Sequence, residues 1–397
     1  MSSAETDQKK KTALVLSGGG ARGAYAVGVV QALVEVLGLR PADSAPFDIY
    51  SGTSVGSINS NYLVSNAHQG DMGIYRLREL WCQLGVNAHL RVRNEAKALR
   101  GFTGGWFSRS MLDAAPLQKL VRSNISFTNI HRNIRDGHAL ASLVAAFNVG
   151  TSQTTIFSEF HPSVKARKSR DPSRSEWVGR LRPRHILASS AMPFIFPAQR
   201  IGKAYYCDGG LRFNTPISPA IRAGADKLVV ISLKYEREDE EHVNHLHQYP
   251  TTSFLAGRLL SALLLDPFEY DLDVLERFNS LTDALEKALP EHELERVRQV
   301  MRETRGAPYR KLEKLVFSPT QDLGRLANEH LREHMATYKL GALPRYFLRK
   351  AAHESATWEA DWATYLLFDG GYAKKLIDLG LSDGFAQRQA ILDFFKA

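Results

Sequence analysis

Through its first 235 residues the chain alternates short unbroken apolar runs with stretches in which apolar positions recur every three or four residues. Thr12 to Ser17 is too short for a helix and ends at a glycine, which predicts a buried strand. Ala24 to Leu37 follows with Val27, Val30, Val34 and Leu37 at helical spacing, and Gly38 supplies a natural stop. Phe47 to Ser51 predicts a second strand and Val55 to Val64 the helix after it. Asp113 to Val121 predicts another helix, with Asp113 as N-cap and Pro116 in its first turn. Leu140 to Val149, Ala204 to Cys207, Lys227 to Leu233 and Lys314 to Phe317 read as further strands. Strands alternating with helices predict an α/β fold, a mainly parallel central sheet with helices on both faces. Beyond Glu236 the pattern changes to an acidic run, Glu236 to Glu241, an apolar stretch of helical length, Phe254 to Leu265, and charged helical patterns to about Arg305. The expected layout is a flexible tail over 1–11, a core over 12–235, a helical insertion or cap over 236–310, and a part over 311–397 that completes the core.

Two glycine-rich turns stand where a predicted strand gives way to a helix. Gly52-Thr53-Ser54-Val55-Gly56 has the G-x-S-x-G form, in which a sharp turn projects a serine hydroxyl and flanking glycines remove clashing Cβ atoms. Gly18-Gly19-Gly20-Ala21-Arg22-Gly23 offers unhindered backbone N–H groups at a helix N-terminus, where negative charge is favoured. A nucleophile and preset oxyanion donors are what acyl transfer requires. Gly18, Gly20 and Gly23 also satisfy the dinucleotide fingerprint G-x-G-x-x-G, but that reading needs an acid at the end of the second strand, and Asp48 lies near its beginning.

Composition narrows the setting. With 397 residues, 44% hydrophobic, and no apolar run long enough to span a bilayer, the chain reads as a globular protein with room for a deep core. The apolar stretch after the polar, basic N-terminus is too short for a signal peptide, and two cysteines make a disulfide framework unlikely, so a cytoplasmic location is expected. The net charge is +9, and between Lys165 and Arg184 eight basic residues face only Asp171 and Glu176. That segment is either an anchor for an anionic lipid surface, at about 1 kcal/mol per basic residue, or a solvated hairpin extension. Nucleic acid is not the expected partner, since no binding motif accompanies the charge.

Four ordered blocks resemble the patatin-like phospholipases, a family of lipid acyl hydrolases. Gly18 to Gly23 match its G-G-G-x-R-G loop, and Gly52 to Gly56 its nucleophile turn. Ala188-Ser189-Ser190-Ala191-Met192-Pro193 with Phe196-Pro197 match its A-S-x-A-x-P block, and Asp208-Gly209-Gly210 its D-G-G, with Asn214 and Pro216 following. The similarity runs from about Lys11 to Leu233 and resumes near Thr364 to Gly380.

The resemblance implies a three-layer fold and a Ser/Asp dyad: Ser54 as nucleophile, Asp208 as general base, and the amides of Gly18, Gly19 and Gly20 as oxyanion hole. It implies cleavage of phospholipid acyl esters at a membrane surface, with peripheral attachment and neither metal nor organic cofactor. Arg22 either supports the loop or meets the lipid phosphate. The second copy, Asp369-Gly370-Gly371, suits a turn or helix cap. Ser189 and Ser190 read as turn residues, and Cys207 as an inert strand thiol. Two alternatives stay open. One is an α/β-hydrolase triad using His242, His245, His247, His330, His334 or His353; the other is a non-catalytic lipid-binding protein.

Overall fold

The computed structural model describes residues 10–85, 110, 112–193, 195–235, 267–305, 311–335, 338 and 361–396. The acidic run Glu236–Glu241, the apolar stretch Phe254–Leu265, and His242, His245, His247 and His353 lie outside the described residues.

Nine strands among these residues form one sheet: β1 (Thr12–Leu16), β2 (Ile49–Thr53), β3 (Ala141–Asn148), β4 (Thr154–Phe160), β5 (Arg174–Val178), β6 (Gln199–Ile201), β7 (Ala204–Asp208), β8 (Lys227–Ile231) and β9 (Glu313–Phe317). The order is β5-β4-β3-β2-β1-β8-β9, with β7 added beside β3 and β6 beside β7. Five of the pairings are parallel (β1–β2, β1–β8, β2–β3, β4–β5 and β8–β9), and three are antiparallel.

Helices follow most strands: α1 (Gly23–Val36), α2 (Val55–Ser65), α3 (Ile74–Cys82), α4 (Ala115–Asn124), α5 (Phe127–Arg135), α6 (Pro183–Ser189) and α7 (Ile217–Arg222). The later part adds α8 (Pro267–Ala288), α9 (Glu291–Arg305), α10 (Leu323–His334), α11 (Asp361–Leu366), α12 (Gly370–Ala386) and α13 (Arg388–Lys396).

The sheet is covered on both faces, as its uninterrupted apolar strands require. Leu14, Leu16, Val229 and Ile231 point into one buried cluster with α1, α2, α3 and α12. Ala13, Val15, Leu228 and Val230 point into the other, with Ile217 and Ala220 of α7 and Leu275 of α8. Each large side chain buried this way contributes about 1.5–3 kcal/mol. α1 is buried around nearly its whole circumference because α12 lies on its outer side, and small residues let the two backbones meet. A Cβ on Gly28 would stand 2.0 Å from the carbonyl oxygen of Ile377, and one on Gly380 2.2 Å from that of Tyr25. The segment from Thr364 to Gly380 therefore packs in the same core. α8 is fastened across the β9 edge, where Asn279 pairs with both backbone groups of Leu312.

Three expectations change. β2 lies two residues later than its apolar run, because Phe47 packs into the core from the loop and the Asp48 carboxylate accepts the Thr12 N–H at 2.8 Å. That contact holds Asp48 at the end of the sheet remote from Ser54, so it cannot serve a dinucleotide ribose beside the glycine loop. The cap of α4 is Ala114 rather than Asp113, whose carboxylate nonetheless accepts the Ala115 N–H at 3.0 Å. The basic segment is not a hairpin: β5 pairs parallel to β4, and the chain between them returns along the sheet. Arg180 and Arg182 flank Leu181, whose N–H is bound by Glu159 opposite the N-terminal half of β3, the end away from Ser54. Arg174 and Arg222 of this region pair with Asp171 and Glu176.

Candidate active site

The residue after β2 is Ser54, with φ 53° and ψ −126°, a backbone region that costs a non-glycine residue of order 1–3 kcal/mol. The turn closes this tightly because its flanks have no side chains. A Cβ on Gly52 would lie 2.4 Å from the Gly56 carbonyl oxygen, and one on Gly56 would lie 2.3 Å from that of Leu16. The hydroxyl of Ser54 is thereby lifted to the mouth of the sheet and donates to Asp208 Oδ2 at 2.5 Å.

Asp208 ends β7 and is fully buried. Its other oxygen, Oδ1, accepts the Gly210 N–H at 2.8 Å, and its own N–H donates to the Ala191 carbonyl at 2.9 Å. Burial pushes its carboxyl up to about 6, against the opposing pull of the hydrogen bonds from Ser54 and Gly210. Such a group is ionised at neutral pH yet close enough to it to receive a proton during attack. Cys207 next door is buried, and burial with the neighbouring carboxylate raises its thiol to about 12, so it is inert.

The triple-glycine loop reaches the same place, with one change from expectation. The Gly18 N–H donates to Asn214 Oδ1 at 3.0 Å, which removes it from the set of available oxyanion donors. Among the described residues, the N–H groups of Gly19 and Gly20 have no acceptor, and Gly20 lines a cavity together with Ser54. Gly20 has φ +58°, and a Cβ there would lie 2.1 Å from the Tyr365 carbonyl oxygen. Arg22 turns inward: it is 3% exposed, its Nε donates to Thr364 Oγ1 at 2.6 Å, and its guanidinium lies 4.6 Å from the Tyr365 ring centre. In this position it braces the loop against α11.

The second Asp-Gly-Gly has a different use. Asp369 Oδ1 accepts the N–H groups of Gly371 and Tyr372 as the cap of α12, and it also meets His330 Nε2 at 2.8 Å. No imidazole stands between Ser54 and Asp208, whose oxygens are in direct contact.

Sequence reasoning missed what Ser189 and Ser190 do. Ser189 Oγ accepts the Ser54 N–H at 2.9 Å and donates to the Ala145 carbonyl at 2.6 Å. Ser190 Oγ donates to the Ser54 carbonyl at 3.2 Å. With Ala191 holding the Asp208 N–H, three consecutive residues at the end of α6 grip the backbones of both reacting residues. The signal was present: two hydroxyls in a buried apolar block require partners.

The cavity runs from Ser54 between α2, α3 and α4 and opens to solvent. Ile58, Leu77, Trp81, Leu117, Leu120 and Phe368 line it. Asn59 adds no free polarity, because it accepts from Trp81 Nε1 and donates to the Gly23 carbonyl. A hydroxyl–carboxylate pair at the head of an apolar channel suits an ester carbonyl with a hydrocarbon tail.

A model of the family described as Patatin-like phospholipase matches residues 14–221. A protein of Pseudomonas aeruginosa named cGAMP-activated phospholipase is 31% identical over 209 residues, which are 51% of this chain and 53% of that protein. The chain thus matches about half the length of that curated relative. Among solved structures, VipD from Legionella pneumophila has a TM-score of 0.31 at 15% identity, covering 97% of this chain and 75% of its own. Human GIVD cytosolic phospholipase A2 has a TM-score of 0.41 at 12% identity, covering 98% and 60%. Since the matched family region spans more than half of the sequence and holds the glycine loop, Ser54, the α6 block and Asp208, the chain belongs to the patatin-like phospholipase family.

Proposed function

We propose that the protein is a serine lipid acyl hydrolase that cleaves acyl esters of membrane phospholipids, as a phospholipase A or lysophospholipase. The observation that carries this reading is the 2.5 Å contact between Ser54 Oγ and Asp208 Oδ2 at the head of an apolar cavity. Ser54 Oγ attacks the ester carbonyl while its proton passes to Asp208 Oδ2. The oxyanion that forms is held by the N–H groups of Gly19 and Gly20, and the acyl chain lies in the channel. The bond to the glycerol oxygen then breaks, and that oxygen leaves with the proton from Asp208. Water attacks the acyl-Ser54 carbonyl, gives its proton to Asp208, and releases a fatty acid as Ser54 recovers its hydrogen.

We infer further that 12–235 and 311–397 make one catalytic unit into which 236–310 is inserted; the packing of α12 on α1 supports this. Attachment to the bilayer is peripheral on this reading, since no helix among the described residues is long and apolar enough to cross one. A cytoplasmic setting is supported by the two cysteines, which are not bonded to each other.

Mass spectrometry of products from mixed phospholipid vesicles tests the proposal. The native chain releases fatty acid and a fluorophosphonate probe labels Ser54, whereas Ser54→Ala and Asp208→Asn release none above background. Absence of both product and label in the native chain would sink it and favour a lipid-binding role. Loss of hydrolysis in a folded His242→Ala or His353→Ala variant would favour a triad.

A further inference from the structure

On the side of α10 that meets α12, His330, Glu333 and His334 bring three donor atoms within 4.8 Å of one another, the one such trio among the described residues. Positions four apart fall on one helix face, and the two imidazoles stack with centres 4.3 Å apart and planes 17° from parallel. The His330 side chain is 2% exposed, and its Nε2 faces Asp369 Oδ1 at 2.8 Å and the Tyr338 hydroxyl at 3.1 Å. Its second nitrogen, Nδ1, is buried with no hydrogen-bond partner among the described residues. A buried ring nitrogen without a partner is costly unless something occupies its lone pair. A carboxylate on the far nitrogen is the usual support for a metal-binding histidine, because it fixes the tautomer and makes the ligand more basic.

We propose that His330, Glu333 and His334 form a zinc site, with Asp369 as the outer support of His330. Two imidazoles and one carboxylate suit zinc rather than magnesium or calcium, which take oxygen ligands. Glu333 and His334 are exposed and turn inward to reach the metal, His334 leaving its stack on His330 and the 3.1 Å contact of its Nδ1 with the His330 carbonyl, with water completing a tetrahedral set. Glu333 gives up its contact with Lys375 at 2.9 Å, an exposed ion pair of little consequence. The site ties α10 to Asp369, which caps α12 one residue after Phe368 of the cavity wall. Bound zinc therefore stiffens the segment of chain against which lipid packs, without entering the chemistry at Ser54.

The test is titration of the chelator-stripped full chain with zinc alone, followed by calorimetry and by melting temperature, with cobalt as a spectroscopic substitute. The native chain is expected to bind one equivalent and to melt at a higher temperature with zinc, and its cobalt form to show the visible bands of a four-coordinate N/O site. His334→Ala and Glu333→Gln change exposed residues and leave the fold intact, and each is expected to weaken zinc binding by about tenfold or more. Magnesium leaves the melting temperature unchanged. No zinc uptake by the native chain, or the same affinity in His334→Ala, overturns the proposal.

Discussion

Ser54 and Asp208 meet because β2 and β7 approach each other head to head along one edge of β3. Thr53, the last residue of β2, pairs with Ala145, and Asp208, the last residue of β7, pairs with Ala146. The other edge of β3 is occupied by β4 at the same positions, so β7 has only the space that β2 vacates. Two strand ends at successive positions on a third strand bring the hydroxyl and the carboxylate to 2.5 Å, although 154 residues separate them in the chain.

Activity should follow one proton on Asp208. Its carboxyl is raised to about 6 by burial, and only the ionised form can accept the Ser54 proton. The expected profile of kcat/KM rises with pH through about 6 and levels off above it. A rate that stays flat down to about pH 4, near the ordinary carboxyl value, would contradict this assignment.

Stability should respond with the opposite sign. A carboxyl whose pKa is higher in the folded chain than in the unfolded one favours folding while protonated, and this contribution is lost as pH rises through about 6. Asp208→Asn keeps the hydrogen-bonding shape without the buried charge. It should raise the unfolding free energy at pH 8 by about 1–3 kcal/mol while abolishing turnover, and the gain should vanish near pH 4. Urea denaturation at the two pH values measures it.

Ser189→Ala should separate positioning from chemistry. The substitution leaves the Ser54 N–H and the Ala145 carbonyl without their partner, at a cost of about 1–3 kcal/mol. The strained serine turn loosens, and kcat should fall about 10- to 100-fold with KM little changed. The pH profile should keep its midpoint, because Asp208 is untouched.

Gly20→Ala tests the oxyanion loop. A methyl group there meets the Tyr365 carbonyl at 2.1 Å in a left-handed backbone, so the loop must move. Turnover should fall about 100- to 1000-fold, as on losing an oxyanion donor. Circular dichroism and fluorophosphonate labelling of Ser54 distinguish this from unfolding.

Leu117→Trp narrows the channel from the α4 side. Long-chain esters should lose about tenfold or more in kcat/KM, as expected when a pocket no longer fits its apolar ligand, while acetyl esters keep their rate. Equal losses for all chain lengths would place the acyl group elsewhere.

What the amino-acid sequence determined by itself was the set of local parts. The serine turn, the triple-glycine loop, most of the strands and the cap at Asp369 follow from residues within a few positions of one another, where sterics and backbone hydrogen bonding act directly. β4, β5 and β6 were not legible, since β5 is half-exposed and polar and β6 is three residues long. Tertiary structure alone decided which parts meet. It brought Asn214 to the Gly18 amide across 196 residues, turned Arg22 onto Thr364, and set Ser189 beneath Ser54. It also brought the Asp208 carboxylate within 2.5 Å of the Ser54 hydroxyl. Sequence context already marked the Asp369 copy as a helix cap; that the Asp208 carboxylate reaches Ser54 depends on burial and register, which are properties of the packed sheet and not of the segment.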